Sequence, residues 1–309
     1  MGELKPVIYI IGPTASGKTG LSISLAKEFG GEIVSADSMQ IYSGMHIASA
    51  APDDDEKCGV AHHLFEFLSP QTNFSVSQYV EKADSVISDI HSRGALPFVV
   101  GGTGLYVSSL SEHIDFGDDD DNSSLREELY NDAENNGLDA MYQYLCKIDP
   151  EYALKISKND KKRILRAIEV FKLSGKTMSE RIAISKQNGP IYDNLFICLG
   201  YKNRELLYDR INKRVDVMLQ NGLLEEAKNS FEKSLGTASQ AIGHKELFEF
   251  FSGNKTLDEA VEHLKMQTRR YAKRQITWFK KMPNLNVIYM DEDNDALITA
   301  SNIIKDFLK

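Results

Sequence analysis

The stretch Val7–Phe29, VIYIIGPTASGKTGLSISLAKEF, decides the fold class. Val7–Ile11 is an apolar run with no polar alternation, which suits a strand covered on both faces. Gly12-Pro-Thr-Ala-Ser-Gly-Lys-Thr19 follows at once and matches the pattern G-x-x-x-x-G-K-[ST]. Helix-forming residues then run from Lys18 to Phe29. A strand, a Gly-rich turn and a helix in that order make a phosphate cradle. The glycines let backbone N–H groups curl around phosphate oxygens, and the helix N-terminus adds positive potential. Lys18 supplies a point charge to the phosphates, and the Thr19 hydroxyl can ligate Mg²⁺. Gly12, Pro13, Thr14, Ala15, Ser16, Gly17, Lys18 and Thr19 are therefore the candidate phosphate-binding residues, with Mg²⁺ the expected cofactor. ATP or GTP is the default occupant of such a loop.

Further apolar runs at Ile33–Ala36, Pro97–Val100, Leu195–Leu199 and Asn286–Met290 read as buried strands. Helical patterns such as Lys18–Phe29 and Ser75–Ser92 lie between them, a βαβ rhythm that predicts an α/β doubly wound parallel sheet. The rhythm breaks from about Asp118 to Pro190. The acidic run Asp118–Asp121 opens this stretch, Ser124 with Glu127 reads as a capping box, Gly137 as a stop, and Asn159–Asp160 as the start of a helix ending near Gly175. The expectation is a P-loop core over residues 1–118 and 191–309, interrupted by an all-helical insertion over 119–190.

Hydrophobic residues at 42% and charged ones at 26% fit a globular protein, and no apolar stretch is long enough to span a membrane. No signal peptide is evident, and Cys58, Cys146 and Cys198 are too scattered for a disulfide framework or a zinc cluster. A cytoplasmic location is expected. A net charge of −9 argues against a nucleic-acid partner on its face. The charge is uneven, however. From His263 to Met290 there is no acid, against Lys265, Arg269, Arg270, Lys273, Arg274, Lys280 and Lys281. A local basic patch outweighs the total within a Debye length.

Two features weaken the kinase expectation. No apolar strand ends in an acidic Mg²⁺ ligand of the Walker-B kind. Instead Phe98–Val100 runs into a second Gly-rich turn, Gly101-Gly-Thr-Gly-Leu-Tyr106, at the edge where open α/β sheets bind ligands. In order along the chain stand GPTASGKT (Gly12–Thr19), SADSMQIYSGMHIASA (Ser35–Ala50), HHL (His62–Leu64) and GGTGLY (Gly101–Tyr106). NDKKRILRAIEV (Asn159–Val170), AIGHKEL (Ala241–Leu247) and RRYAKRQITWF (Arg269–Phe279) follow. Together they resemble the tRNA dimethylallyltransferase (IPP transferase) family over nearly the whole chain.

That resemblance implies dimethylallyl diphosphate on the phosphate loop in place of a nucleotide. The implied acceptor is N6 of the adenosine immediately 3′ of the anticodon in tRNA, and the helical insertion would grip the anticodon stem-loop. The C-terminal zinc-finger extension of the family's eukaryotic members is expected to be absent. His244 stands where many relatives carry tyrosine, with no change of function expected.

Asp37, after the Ile33–Ala36 strand, maps to the family's catalytic base. A weakly nucleophilic N6 needs such a carboxylate as the C–N bond forms. A Mg²⁺ ligand or a helix cap is its plainer role. Ser38, Met39 and Gln40 map to a tRNA-contact stretch. Thr103 could donate to the bridging oxygen of the diphosphate, or simply cap the next helix. Glu205–Phe231 reads as one amphipathic helix with Leu207, Ile211, Val215 and Met218 on a stripe. Arg214 lies near that stripe, so it needs an anion: a carboxylate or, as the resemblance implies, the diphosphate.

Lys161, Lys162, Arg163 and Arg166, with Ile164 and Leu165 between them, align with the family's tRNA-contact helix, although such a run is often only a solvated face. Arg126 is a weaker candidate. Thr256 and Glu259 start a helix running to about Lys281. On it Arg269, Arg270, Lys273 and Arg274 flank a stripe of Val261, Leu264, Tyr271 and Trp278, as suits an RNA backbone. Trp278 itself is expected in the core, and the adjacent His62 and His63 are expected to be structural. The partners expected are tRNA and dimethylallyl diphosphate, with the protein a monomer and no membrane involved. The rivals are a small-molecule P-loop kinase, an adenylate isopentenyltransferase acting on free nucleotides, and a non-catalytic RNA-binding protein.

Overall fold

The computed structural model describes residues 4–114, 123–232 and 237–309. The acidic run Asp118–Asp121, and with it the expected boundary at residue 118, lies outside them. The chain divides into two compact units, Met1–Ser111 with Ile191–Lys309, and Glu112–Pro190. It enters the first with β1 (Lys5–Ile11), α1 (Lys18–Phe29), β2 (Gly31–Ser35), α2 (His46–Ser49), α3 (Asp54–Lys57), β3 (His62–His63), α4 (Val76–Ser92), β4 (Leu96–Gly101) and α5 (Gly104–Ser111). The second unit holds α6 (Ser123–Asn135), α7 (Leu138–Ile148), α8 (Pro150–Ala153), α9 (Lys161–Ser174) and α10 (Met178–Asn188). The chain returns to the first with β5 (Tyr192–Gly200), α11 (Arg204–Gln220), α12 (Leu223–Phe231), a 3₁₀ turn (Thr237–Gln240), α13 (His244–Phe251), α14 (Leu257–Phe279), β6 (Leu285–Tyr289) and α15 (Ala296–Phe307).

The strands form one parallel sheet in the order β3-β2-β4-β1-β5-β6. β1 is flanked on both edges, Ile8 lying opposite Phe98 of β4 and Leu195 of β5. Val7–Ile11 are all fully buried, which is why that run carries no polar alternation. Ile8, Ile10, Phe98 and Ile197 meet Leu25 of α1 and Ile304 of α15 in one core cluster. Each such side chain contributes about 1.5–3 kcal/mol by leaving water.

Three departures from the sequence reading have local causes. β3 is a sixth strand of two residues, His62 opposite Ile33 and His63 opposite Val34. It is too short and polar to show a pattern, and a short edge strand of that kind blunts the sheet against further pairing. The helix expected over Glu205–Phe231 is two helices. Gly222, at φ 99°, caps the second and turns the chain where an L-residue would be strained. Trp278 is 37% exposed rather than in the core, its indole N–H donating to Ser108 Oγ at 2.8 Å. Among the described residues no helix is long and apolar enough to cross a membrane.

In the second unit no strand occurs among the described residues. Its core is Leu129, Leu145, Ile164, Leu165 and Ile168 with their neighbours. Buried Asp149 accepts from the backbone of Tyr152 at 3.0 Å, which caps α8. It also accepts from both donors of Ser179, 2.9 and 2.7 Å away, which pins the start of α10. Asp160 caps α9 at Arg163 N, and Gly175 closes that helix in the left-handed conformation.

Candidate active site

Three loops leave the carboxyl ends of β2, β4 and β1, which are neighbours in the sheet. The loop after β1 turns at Gly12, φ 145°, where a Cβ would meet the Leu199 carbonyl oxygen at 2.6 Å. Gly17, φ 95°, caps α1. The Lys18 ammonium donates to Pro13 O at 2.8 Å, lying across the loop where a phosphate would draw it away. Arg210 donates to Ala15 O at 2.9 Å, and the Thr14 N–H donates to Gln275 Oε1 at 2.9 Å. The loop is thus braced from α11 and from α14. Thr19, exposed on the first turn of α1, faces the same cavity.

After β2, Asp37 accepts from the Met39 N–H through Oδ1 at 2.9 Å. Its Oδ2 has no hydrogen-bond partner among the described residues, which leaves one carboxylate oxygen for a ligand. Thr103, in the turn after β4, does not cap α5 with its side chain. Its Oγ1 accepts from Ser38 N–H at 2.9 Å and donates to Ser38 Oγ at 3.2 Å, joining two loops. Gln40, mapped to the tRNA-contact stretch, has its amide engaged by protein: Oε1 accepts from Ser35 Oγ, and Nε2 donates to the carbonyls of Ser49 and Ala50.

These loops and α11 line a cavity of about 1030 Å³ that holds Lys18, Thr19, Asp37, Ser38, Met39, Gln40, Arg210, Lys213, Arg214, Tyr271 and Arg274. Burial lowers the Lys18 ammonium to about 8, reinforced by the Arg214 cation and partly offset by Asp37. Burial also lowers Arg214, against the pull of Asp37 and Glu56. Arg214 makes no hydrogen bond or ion pair among the described residues, so the carboxylate partner weighed from the sequence is not there. Two cations facing each other at the mouth of a Gly-rich turn make a site for a polyanion. The Tyr271 phenol is raised by burial and by the Asp37 charge.

The other basic candidates separate by environment. Arg270, Lys273 and Arg274 are exposed, whereas Arg269 donates to Asn212 Oδ1 at 2.6 Å. On α9, Lys162 and Arg163 are solvent-facing or nearly so, and Lys161 lies over the Tyr130 ring at 4.9 Å. Arg126 and Arg166 both pair with the buried carboxylate of Glu169, at 3.0 and 2.8 Å. Ile164 and Leu165, placed among the RNA contacts from the sequence, are buried in the helical core. Their side chains are packing residues.

The sequence reading passed over Gln275, Arg210 and a buried clasp. In the clasp His244 Nε2 meets Glu226 Oε1 at 2.9 Å, while Glu226 accepts the N–H groups of Ile47 and Ala48 at 2.8 and 2.9 Å. Gln275 left one legible signal. It is an amide spaced three and four residues from buried Ala272 and Phe279, where an apolar residue belongs.

The sequence matches the family model described as IPP transferase over residues 40–282, and that described as isopentenyl transferase over residues 5–66. A protein of Acetivibrio thermocellus named tRNA dimethylallyltransferase is 47% identical, covering 94% of each chain. One of Caldanaerobacter subterraneus subsp. tengcongensis with the same name is 45% identical over 93% of this chain and 92% of its own. The crystal structure of the full-length tRNA isopentenylpyrophosphate transferase from Bacillus halodurans superposes with a TM-score of 0.74 at 40% identity, covering 99% of this chain and 97% of that one. A eukaryotic dimethylallyltransferase acting on tRNA gives a TM-score of 0.82 at 31% identity over 98% of this chain and 79% of that one. On these matches, which run nearly end to end, the chain belongs to the IPP transferase family, the tRNA dimethylallyltransferases.

Proposed function

We propose that this chain transfers the dimethylallyl group of dimethylallyl diphosphate to N6 of the adenosine immediately 3′ of the anticodon in tRNA, releasing diphosphate. The observation that carries the reading is the joint presence, in one cavity, of a phosphate loop, a carboxylate with a free oxygen and an arginine without a partner. The diphosphate sits on Gly12–Thr19, drawing Lys18 off Pro13 O and meeting Arg214. The target adenosine leaves its stack to reach the carboxylate, since N6 is otherwise inaccessible. The bond between the allylic carbon and the diphosphate oxygen breaks, the carbon–N6 bond forms, and Asp37 Oδ2 takes the N6 proton. Thr103 donates to the leaving oxygen, and Lys18 and Arg214 neutralise the charge that gathers there.

No group of three or more His, Cys, Asp or Glu that could hold a metal occurs among the described residues. The exposed Thr19 hydroxyl fits Mg²⁺ only where the diphosphate supplies further oxygens, the usual mode for this ion. Bound there, Mg²⁺ would neutralise part of the diphosphate charge. Lys161, Lys162 and Arg163 on α9, and Arg270, Lys273 and Arg274 on α14, are the proposed contacts to RNA phosphates.

The test incubates the protein with labelled dimethylallyl diphosphate, Mg²⁺ and unmodified tRNA, with AMP and ATP as parallel acceptors. Label on the adenosine beside the anticodon is expected. Label in AMP or ATP alone would replace this reading with a free-nucleotide transferase.

A further inference from the structure

Gln275 sits 4% exposed on α14, and both ends of its amide are in use. Oε1 accepts the Thr14 N–H of the phosphate loop at 2.9 Å, and Nε2 donates to the Gly102 carbonyl of the second Gly-rich turn at 2.9 Å. The orientation of the amide follows from its partners, since an N–H can only donate and a carbonyl can only accept. The contact is close as well as polar: a Cβ added at Gly102 would run into Gln275 Nε2. A single buried amide therefore stands wedged between the loop that holds the donor phosphates and the turn that carries Thr103.

We propose that Gln275 is a positioning residue that sets the spacing between the phosphate loop and Thr103 for the transfer reaction. The inference rests on the function proposed above. The leaving diphosphate must be held by the loop while Thr103 reaches its departing oxygen. The loop and the turn belong to different strands, and the amide ties their backbones directly. A glutamine suits the place because it offers one acceptor and one donor on a rigid plane, at the end of a chain long enough to reach both. Glutamate lacks the donor, and methionine, of similar length, lacks both. With the Thr14 N–H committed to Gln275, phosphate binding falls to the N–H groups further along the loop, so losing Gln275 disturbs alignment more than affinity.

The test is a double-mutant cycle of Gln275→Met with Thr103→Ala, reading kcat and KM for prenyl transfer to tRNA and Kd for inorganic pyrophosphate. In Gln275→Met, kcat is expected to fall about 30- to 100-fold, as for a displacement of roughly 1 Å at the reacting groups. Pyrophosphate Kd is expected to stay within about threefold, and in the Thr103→Ala background the further loss of kcat should shrink to about threefold or less. Should Gln275→Met fail to fold, Gly102→Ala perturbs the same contact from the other side and takes its place in the cycle. An unchanged kcat overturns the proposal. So do losses of kcat and pyrophosphate affinity by one common factor, or losses that simply multiply with those of Thr103→Ala. Wild-type transfer to tRNA in the same assay separates the two readings: without it the proposed function fails and this inference with it, whereas with it only the role of Gln275 is at stake.

Discussion

Lys18 gives the sharpest quantitative expectation. Its ammonium is lowered to about 8, chiefly by burial and then by Arg214. A bound diphosphate places an anion beside it and restores a value at or above the ordinary one of about 10.4. Binding is then linked to proton uptake, and the apparent Kd carries a factor of one plus ten to the power of pH minus that lowered value. That factor is about 1.1 at pH 7 and about 11 at pH 9, so pyrophosphate should bind about tenfold more weakly at the higher pH. Inorganic pyrophosphate itself still loses a proton across this range, so both the weakening and the proton count are read as the difference between wild type and Lys18→Arg, which share the ligand's own titration. Calorimetric titrations at pH 9 in buffers of different ionisation enthalpy should report uptake of about 0.9 proton per site, against about 0.1 at pH 7. Lys18→Arg keeps its charge throughout and should lose the alkaline weakening. Arg214→Met should bind less tightly overall while moving the weakening to higher pH. Uptake near zero at pH 9, or the same alkaline loss in Lys18→Arg, would refute the coupling. The linkage also applies to the fold. The lowered value means that the unfolded chain holds more protons between about pH 8 and 10.4, so the protein gains stability as pH rises through that window.

Asp37→Ala is expected to abolish transfer while tRNA affinity stays nearly intact; a large loss of tRNA binding in a filter or fluorescence titration would remove the base assignment. Glu226→Ala should cost about 1–3 kcal/mol in urea denaturation at pH 7, because it strands His244 and the N–H groups of Ile47 and Ala48. Burial raises that carboxyl, but these donors outweigh it and hold it below its ordinary value. Its contribution is therefore full above the unfolded pKa of about 4.3 and fades as pH falls through the lower folded value, so the gap between variant and wild type should narrow at acid pH. Replacing Lys161, Lys162 and Arg163 together by Gln should flatten the logarithmic salt dependence of tRNA binding by about 2, roughly 0.7 per lost contact. Arg126→Gln should instead lower the melting temperature of the helical unit, since it leaves the buried Glu169 short of a partner.

The fold and the chemical type of the site were legible from short-range patterns. Val7–Ile11 revealed a doubly covered strand because burial on both faces removes alternation. Lys18–Phe29 matched α1 to the residue because Gly17 and Gly30 bound it on either side. Asp37, Thr103 and the phosphate loop were found because each directly follows a strand, and all parallel strands end on one edge. The two-residue β3 carried no period to read, and Gly222 broke a helix whose apolar stripe ran on in register across the turn.

What the sequence by itself determined is what local chemistry dictates: strands, caps, glycine turns and the kinds of group at the sheet edge. Only the tertiary structure decided which of those groups have partners. It left Arg214 near Lys18 with no carboxylate in pairing contact among the described residues, gave Arg126 and Arg166 to Glu169, spent the Gln40 amide on protein, and placed Gln275 between two loops 261 and 173 residues away. A hydrogen bond depends on a few ångströms between atoms that the fold brings together from far along the chain, and no local pattern encodes that distance.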